Sequence, residues 1–478
     1  MNAPAPQRTD LLAWPVLGRF LRWRHARLAL QLPLFLLAVV TIGHGLAGPQ
    51  LAPKNLATLL VWVHYRGLLV MALLVAGNVF CMACPFLLPR ELSRRLLTPR
   101  WRWPHRLRSK WLALALFVAA LFVYEWLDLW GHPFGTAVLA LVYFGAALAV
   151  DGLFQGGSFC KYVCPIGQFN FAASTMSPLE VQARDLSVCA SCTTHDCIKG
   201  ARDPQEPARI VQRGCELSLF IPQKTGNLDC TFCMDCVHAC PHDNIGLLSR
   251  LPGEALWQDQ PRSGIGRVSR RRDLSALMVL FTFGALLNAF GMVSPVYAVQ
   301  AWLAGLLGTT HELPVLAILF AAVLVVEPVV LMGGAAAWTR RATGSADRLV
   351  DICGRFAPVL LPLGVAVWMA HYGFHLFTGF LTPLPVFQTL LADLGLPVQP
   401  HWGAGGLPAS QVYPAELFLL ALGLLGSIGV AWRVAEREHP ARTAAAFVPW
   451  ATLCALLWAA AMWLLSQPME MRGTFLGG

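Results

Sequence analysis

The chain's chemistry is concentrated in its cysteines. Of the 14 present, four form the run Cys230-x2-Cys233-x2-Cys236-x3-Cys240-Pro241. In such a run three closely spaced thiolates wrap one iron–sulfur cubane while the fourth reaches a second cluster. Thiolates suit these clusters because they are soft, anionic donors. A looser set precedes it, Cys189-x2-Cys192-x4-Cys197 and then Cys215. Exchange of the fourth ligands predicts two 4Fe–4S clusters. One would sit on Cys189, Cys192, Cys197 and Cys240, the other on Cys215, Cys230, Cys233 and Cys236.

Four further cysteines lie in two related segments, Phe80-Cys81-Met82-Ala83-Cys84-Pro85 and Phe159-Cys160-Lys161-Tyr162-Val163-Cys164-Pro165. Each follows an apolar hairpin and a glycine, so a parallel repeat of two hairpins accounts for both. Cys81, Cys84, Cys160 and Cys164 could hold a metal or a third cluster, form a redox-active disulfide, or brace a junction. Cys353 and Cys454 are solitary and read as small core residues. The sequence has no CxxCH for covalent haem. It has no Walker A motif, and no G-x-G-x-x-G after a strand.

The elements that position these residues are mostly membrane helices. Hydrophobic residues make up 56% of the 478 and charged ones 13%, with a mean hydropathy of +0.55. Nine apolar stretches approach the ~20 residues that cross a ~30 Å hydrocarbon core. They lie at 28–47, 56–80, 111–130, 135–155, 274–296, 313–337, 355–381, 414–432 and 444–466. Of the 36 Lys and Arg, 33 fall in alternate intervening segments, which predicts a cytoplasmic N-terminus. The net charge of +10 is thereby a topology signal and not a nucleic-acid footprint. The first apolar run has no small-residue cleavage pattern and reads as a retained helix. The one large polar segment, 156–272, falls on the cytoplasmic side. There thiols stay reduced, which favours metal ligation over disulfides.

The expected fold is an all-α polytopic membrane bundle of about nine transmembrane helices with an inserted small α+β two-cluster ferredoxin-like domain. Residues 1–155 form two hairpins ending in the cysteine pairs, 156–272 the cytoplasmic cluster domain, and 273–478 a five-span membrane domain. The expected location is a bacterial inner membrane.

Ionisable residues inside spans are costly and often functional. His44, His64, Arg66, Glu125, Asp128, His371 and His375 fall in the outer half of the bundle, and Glu327 in the inner half. His371 and His375 are four apart and share one helix face. With His64 and Arg66 they are the candidate catalytic group, able to serve a quinol site, a b-type haem or copper. Hydrogen bonding between helices is the plainer role for the histidines. Arg66 calls for a carboxylate or an anionic ligand. The 17 tryptophans fit interfacial anchoring, Glu327 before Pro328 a proton path or a helix kink. Met469 and Met471 are too few for a copper site.

The segments "FCMACPF", "FCKYVCPIG" and "CTFCMDCVHACP" resemble the membrane-bound polyferredoxins of the NapH, NosR and CcoG type over roughly residues 30–250. The resemblance implies cytoplasmic 4Fe–4S clusters on a membrane helix core, in respiratory electron transfer or assembly of a copper enzyme. The expected activity is electron passage between the quinone pool and the clusters, with redox partner proteins on either face. A cupric reductase and a non-catalytic redox sensor or scaffold are the alternatives.

Overall fold

The structure, a computed structural model, describes residues 8–97, 99–403 and 405–469. Met471 lies outside the described residues. The described residues are mostly helical with two small sheets. Among the described residues eight helices are long and apolar enough to cross a membrane. They are Ala26–Ala47, Leu56–Ala76, Pro133–Leu153, Arg272–Phe290, Glu312–Thr343, Leu349–Thr378, Ala409–Glu438 and Pro440–Leu465. These make it a multi-pass membrane protein and coincide with eight of the nine expected spans. The ninth, expected at 111–130, is a helix of 16 residues, Trp111–Trp126, shorter than a full crossing needs. It ends where Asp128 adopts a positive φ of 44°. A second short apolar helix, Pro295–Leu307, was not anticipated.

Among the described residues three π-helical turns interrupt the helices, at Leu59–Tyr65, Phe159–Val163 and Ala322–Val326. Such turns are rare and concentrate at functional sites. Here they hold or precede His64 and Arg66, Cys160 and Cys164, and Glu327. The last precedes Pro328, whose ring would crowd the carbonyl of a normal preceding turn. The wider turn relieves that crowding.

The chain divides into two compact units. The first comprises 1–36, 72–109 and 146–268, and the second 37–71, 110–145 and 269–478. The first therefore holds the cysteine-rich segment together with both hairpin-end cysteine pairs. In it, strand β1 (Leu179–Ala183) pairs antiparallel with a distant strand, Ile245–Ser249. These two strands close off the stretch that carries eight of the cysteines. Glu180 on β1 locks this closure. Its carboxylate meets the Arg250 guanidinium at 2.7 Å and the Lys224 amine at 3.5 Å, and accepts the Gly226 N–H at 2.8 Å.

In the second unit the Leu349–Thr378 helix is buried along most of its length. Glycines allow its neighbours to approach closely, as small residues do between membrane helices. A Cβ on Gly423 would lie 2.4 Å from the Ala366 Cβ, and one on Gly67 2.6 Å from the Leu376 Cβ. The tryptophans correct the interfacial reading in part. Trp130, Trp368 and Trp450 are fully buried, and the indole N–H of Trp368 donates to the Phe281 carbonyl at 2.9 Å.

Candidate redox centre

The eight cysteines of 189–240 gather in two sets. Cys189 and Cys197 are each within charge–charge range of Cys240, and Cys197 also of Cys192. These four line one cavity with Phe220 and Pro241. Asn244 ties two of them together. Its side-chain amide donates to the Cys189 Sγ and its backbone N–H to the Cys240 Sγ, both at 3.4 Å. In the other set, Cys215 is in range of Cys230, Cys233 and Cys236. The sets touch through the backbone, where the Cys215 N–H donates to the Cys197 carbonyl at 2.8 Å.

The loops bend as few non-glycine residues do. Seven described non-glycine residues have positive φ, and six of them flank these cysteines: His195, Ser218, Asp229, Phe232, Met234 and Asp243. Left-handed backbone at such residues persists only where the surroundings enforce it, and it clusters at functional sites. Burial pushes the Cys197 and Cys215 thiols up to about 11. Their thiolates therefore need a cationic group nearby to be stable there.

Among the described residues no three His, Cys, Asp or Glu side chains are set closely enough to hold a single metal ion. A cubane presents four irons and takes one thiolate on each, so its ligands stand farther apart than those of one ion. The two four-thiol sets match a cubane in the number and type of donors.

The hairpin-end pairs also converge. Cys81 is within charge–charge range of Cys84 and Cys164, Cys84 of Cys164, and Cys160 of Cys164. The different spacings are absorbed by different turns. Before the shorter pair the Cys81 N–H bonds three residues back to Asn78; in the longer pair the Cys164 N–H reaches five back to Phe159. Asn170, fully buried, donates to the Cys81 Sγ at 3.3 Å. The Gly167 N–H donates to the Cys164 Sγ at 2.9 Å. The quartet is tied to the second cysteine set by Asn78, which donates to the Cys230 carbonyl at 2.8 Å. A Cβ on Gly77, whose φ is +66°, would strike the Phe232 ring at 2.5 Å.

A buried ion network lies beside both groups. The Arg90 guanidinium meets Asp151 at 3.0 Å and Glu216 at 2.8 Å, and Glu216 is also 3.4 Å from Arg27. Burial opposes the Glu216 charge, but Arg27 and Arg90 outweigh it and hold its carboxyl far below the usual range. Asp151 in turn accepts the Phe159 N–H at 2.8 Å, fixing the start of the π turn that carries Cys160.

Of the four candidate catalytic residues, the second unit brings three together. His371 and His375 are fully buried, their rings 4.9 Å apart and near perpendicular. Neither nitrogen of His371 has a hydrogen-bond partner. Side by side on one helix, the pair cannot supply the two opposite axial ligands of one haem. Arg66 lies within electrostatic range of both. Aromatic faces surround its charge: the Trp62, Tyr124, Trp130 and Tyr372 rings lie 4.3, 4.7, 5.0 and 5.2 Å from its Cζ. His64 is placed otherwise, its two nitrogens facing the Leu59 and Phe380 carbonyls at 3.1 and 3.2 Å.

Sequence reasoning missed the Arg90 network, Asn170, Asn244 and the aromatic cage. Polar residues at span ends, such as Asp151, were the available signal for the first.

No protein-family model and no solved structure matches the chain. Among curated proteins it is 25% identical over 231 residues to YccM of Escherichia coli, a protein named for electron transport, covering 42% of this chain and 58% of that one. It is 28% identical over 185 residues to the regulatory protein NosR of Pseudomonas aeruginosa, covering 34% of this chain and 24% of that one. An uncharacterized protein of Methanocaldococcus jannaschii is 25% identical over 177 residues, covering 35% of this chain and 62% of that one. The chain thus spans under two thirds of the length of each relative.

Proposed function

We propose that this protein passes electrons between the quinone pool and a pair of 4Fe–4S clusters facing the cytoplasm, in a respiratory or metalloenzyme-maturation system. The observation that carries the reading is the gathering of eight cysteines into two exchanged sets of four. Cys189, Cys192, Cys197 and Cys240 would hold one cluster, and Cys215, Cys230, Cys233 and Cys236 the other. When bound, such clusters supply one-electron steps with little rearrangement. The protein's own residues do the rest. Asn244 orients two thiols, and the Arg27 and Arg90 charges offset the negative charge that four thiolates bring.

The distant relation to a protein named for electron transport supports the same role. The distribution of Lys and Arg supports a cytoplasmic cluster side of a bacterial inner membrane. In the second unit, Arg66 with His371 and His375 forms a buried polar group suited to handling protons in an apolar setting. A third redox or metal centre on Cys81, Cys84, Cys160 and Cys164 is favoured by their convergence.

The test is iron and labile sulfide content with EPR of the dithionite-reduced protein. The two cubanes should contribute about eight irons per chain. Substituting Cys233 by Ser should remove about four of them, one cubane's worth, together with one EPR signal. Unchanged iron and sulfide in that variant would sink the ligand assignment.

A further inference from the structure

Between the helices Leu87–Leu97 and Trp111–Trp126 runs a loop with no acidic residue, in which Arg100, Arg102, Arg106 and Arg108 fall close together. All four are exposed, and among the described residues none of them meets a carboxylate. Other arginines of this unit are treated differently: Arg90, Arg94 and Arg213 all meet Glu91. The fold thus leaves one concentrated patch of positive charge without a counter-charge.

The loop is pinned at the end of a membrane span. The Trp101 N–H donates at 3.2 Å to the carbonyl of Leu153, the last residue of the helix Pro133–Leu153, and the Trp101 carbonyl accepts the Gln155 N–H at 2.8 Å. Trp103 is buried and gives the loop a fixed back. Its ring stacks on Tyr162 at 5.6 Å, and its indole N–H donates to the Leu107 carbonyl at 2.8 Å. Trp101 and Leu107, by contrast, are 59% and 45% exposed. Each is flanked in sequence by two of the arginines. An exposed tryptophan where a span ends sits at the level between lipid tails and headgroups.

We propose that this loop binds the headgroup of an anionic phospholipid, with Arg100, Arg102, Arg106 and Arg108 meeting its phosphate and Trp101 and Leu107 contacting its acyl chains. The guanidinium fork matches phosphate oxygens two at a time. Basic residues clustered beside a span are drawn to anionic lipid. The tie to Leu153 keeps the patch at the membrane surface, and the two apolar side chains suit a ligand with tails. Both features favour a lipid over a soluble acidic partner. The inference stands independently of the electron-transfer reading.

The test titrates fluorescent phosphatidylglycerol into the full chain in detergent micelles, with fluorescent phosphatidylcholine as the zwitterionic control. Phosphatidylglycerol should bind in preference, and its binding should weaken as salt is raised, because exposed charges are screened. A phosphatidylglycerol with a photoreactive headgroup should label peptides within 99–110. Two paired variants, Arg100→Gln with Arg102→Gln and Arg106→Gln with Arg108→Gln, each leave basic residues in the loop to hold the topology. Each pair should weaken binding roughly tenfold or more, since one basic group beside an anionic surface is worth about fivefold. Helical content and thermal unfolding like the wild type's show that the pairs are folded. Arg340→Gln with Arg341→Gln, on the exposed end of another helix, should leave binding unchanged. Equal binding of the two lipids, label centred outside 99–110, or an equal loss in the Arg340 and Arg341 pair overturns the site. Displacement by glycerol phosphate at concentrations matching the lipid also overturns it, because the loop would then bind a free phosphate.

Discussion

Arg90 donates to Glu216 at 2.8 Å, and Glu216 directly follows Cys215. The same guanidinium grips Asp151, with both side chains fully buried. One cation therefore fixes the backbone beside a cysteine of the 215–236 set and, through Asp151 and Phe159, the turn that carries Cys160.

Replacing Arg90 by Met should accordingly damage two places at once. It leaves Asp151 without its closest cation and Glu216 with only the longer Arg27 contact, a change that costs roughly 3–5 kcal/mol when a buried pair is broken. Lys is expected to rescue poorly because it lacks the planar fork that serves two carboxylates. Thermal unfolding and iron content measured on both variants check this; wild-type values for Met would remove Arg90 from the account.

Glu180 should make the first unit acid-sensitive. Burial opposes its charge, yet Lys224 and Arg250 hold its carboxyl below the ordinary glutamate range. A depressed carboxyl stabilises the fold above its unfolded pKa, and that contribution is lost as pH falls through the lower, folded value. Urea midpoints should thus drop below about pH 4.5 in the wild type. Glu180→Gln should be weaker by roughly 3–5 kcal/mol at neutral pH and show a flatter acid limb. An equally steep limb in the variant would point to other carboxyls.

Arg66→Gln should lose contacts with four rings, each worth roughly 0.5–2 kcal/mol for a cation over an aromatic face. Lower thermal stability and slower cluster reduction by quinol, with dithionite reduction intact, are expected. Stability unchanged from wild type would mean that the cage contributes little.

Asn244→Leu should loosen the set lined by Cys189 and Cys240, because the Cys189 Sγ loses its side-chain donor while the backbone donor to the Cys240 Sγ stays. Hydrogen bonds to cluster sulfurs raise reduction potentials, so the midpoint of that cluster should fall, read by redox titration with EPR. An unmoved potential would assign Asn244 to loop packing alone.

What the sequence makes legible is local. The cysteine runs are read directly from spacing, and the long helices from runs of apolar residues. The helix over 111–126 is overestimated because Leu127, Leu129 and Trp130 continue the apolar run after the helix has ended at Trp126. The Arg90 network is invisible because its members are 61 and 126 residues apart and each alone looks like a charge at a span end. The Arg66 cage is hidden differently. Membrane tryptophans read as interfacial anchors, and only packing shows Trp62 and Trp130 turned inward around a cation.

The central claim, that quinol and clusters exchange electrons through this protein, is tested most directly by an anaerobic optical spectrum recorded before and after adding quinol. The account predicts that the broad iron–sulfur absorbance bleaches with quinol nearly as far as it does with dithionite. Bleaching by dithionite alone would contradict it and turn attention to a cytoplasmic electron donor.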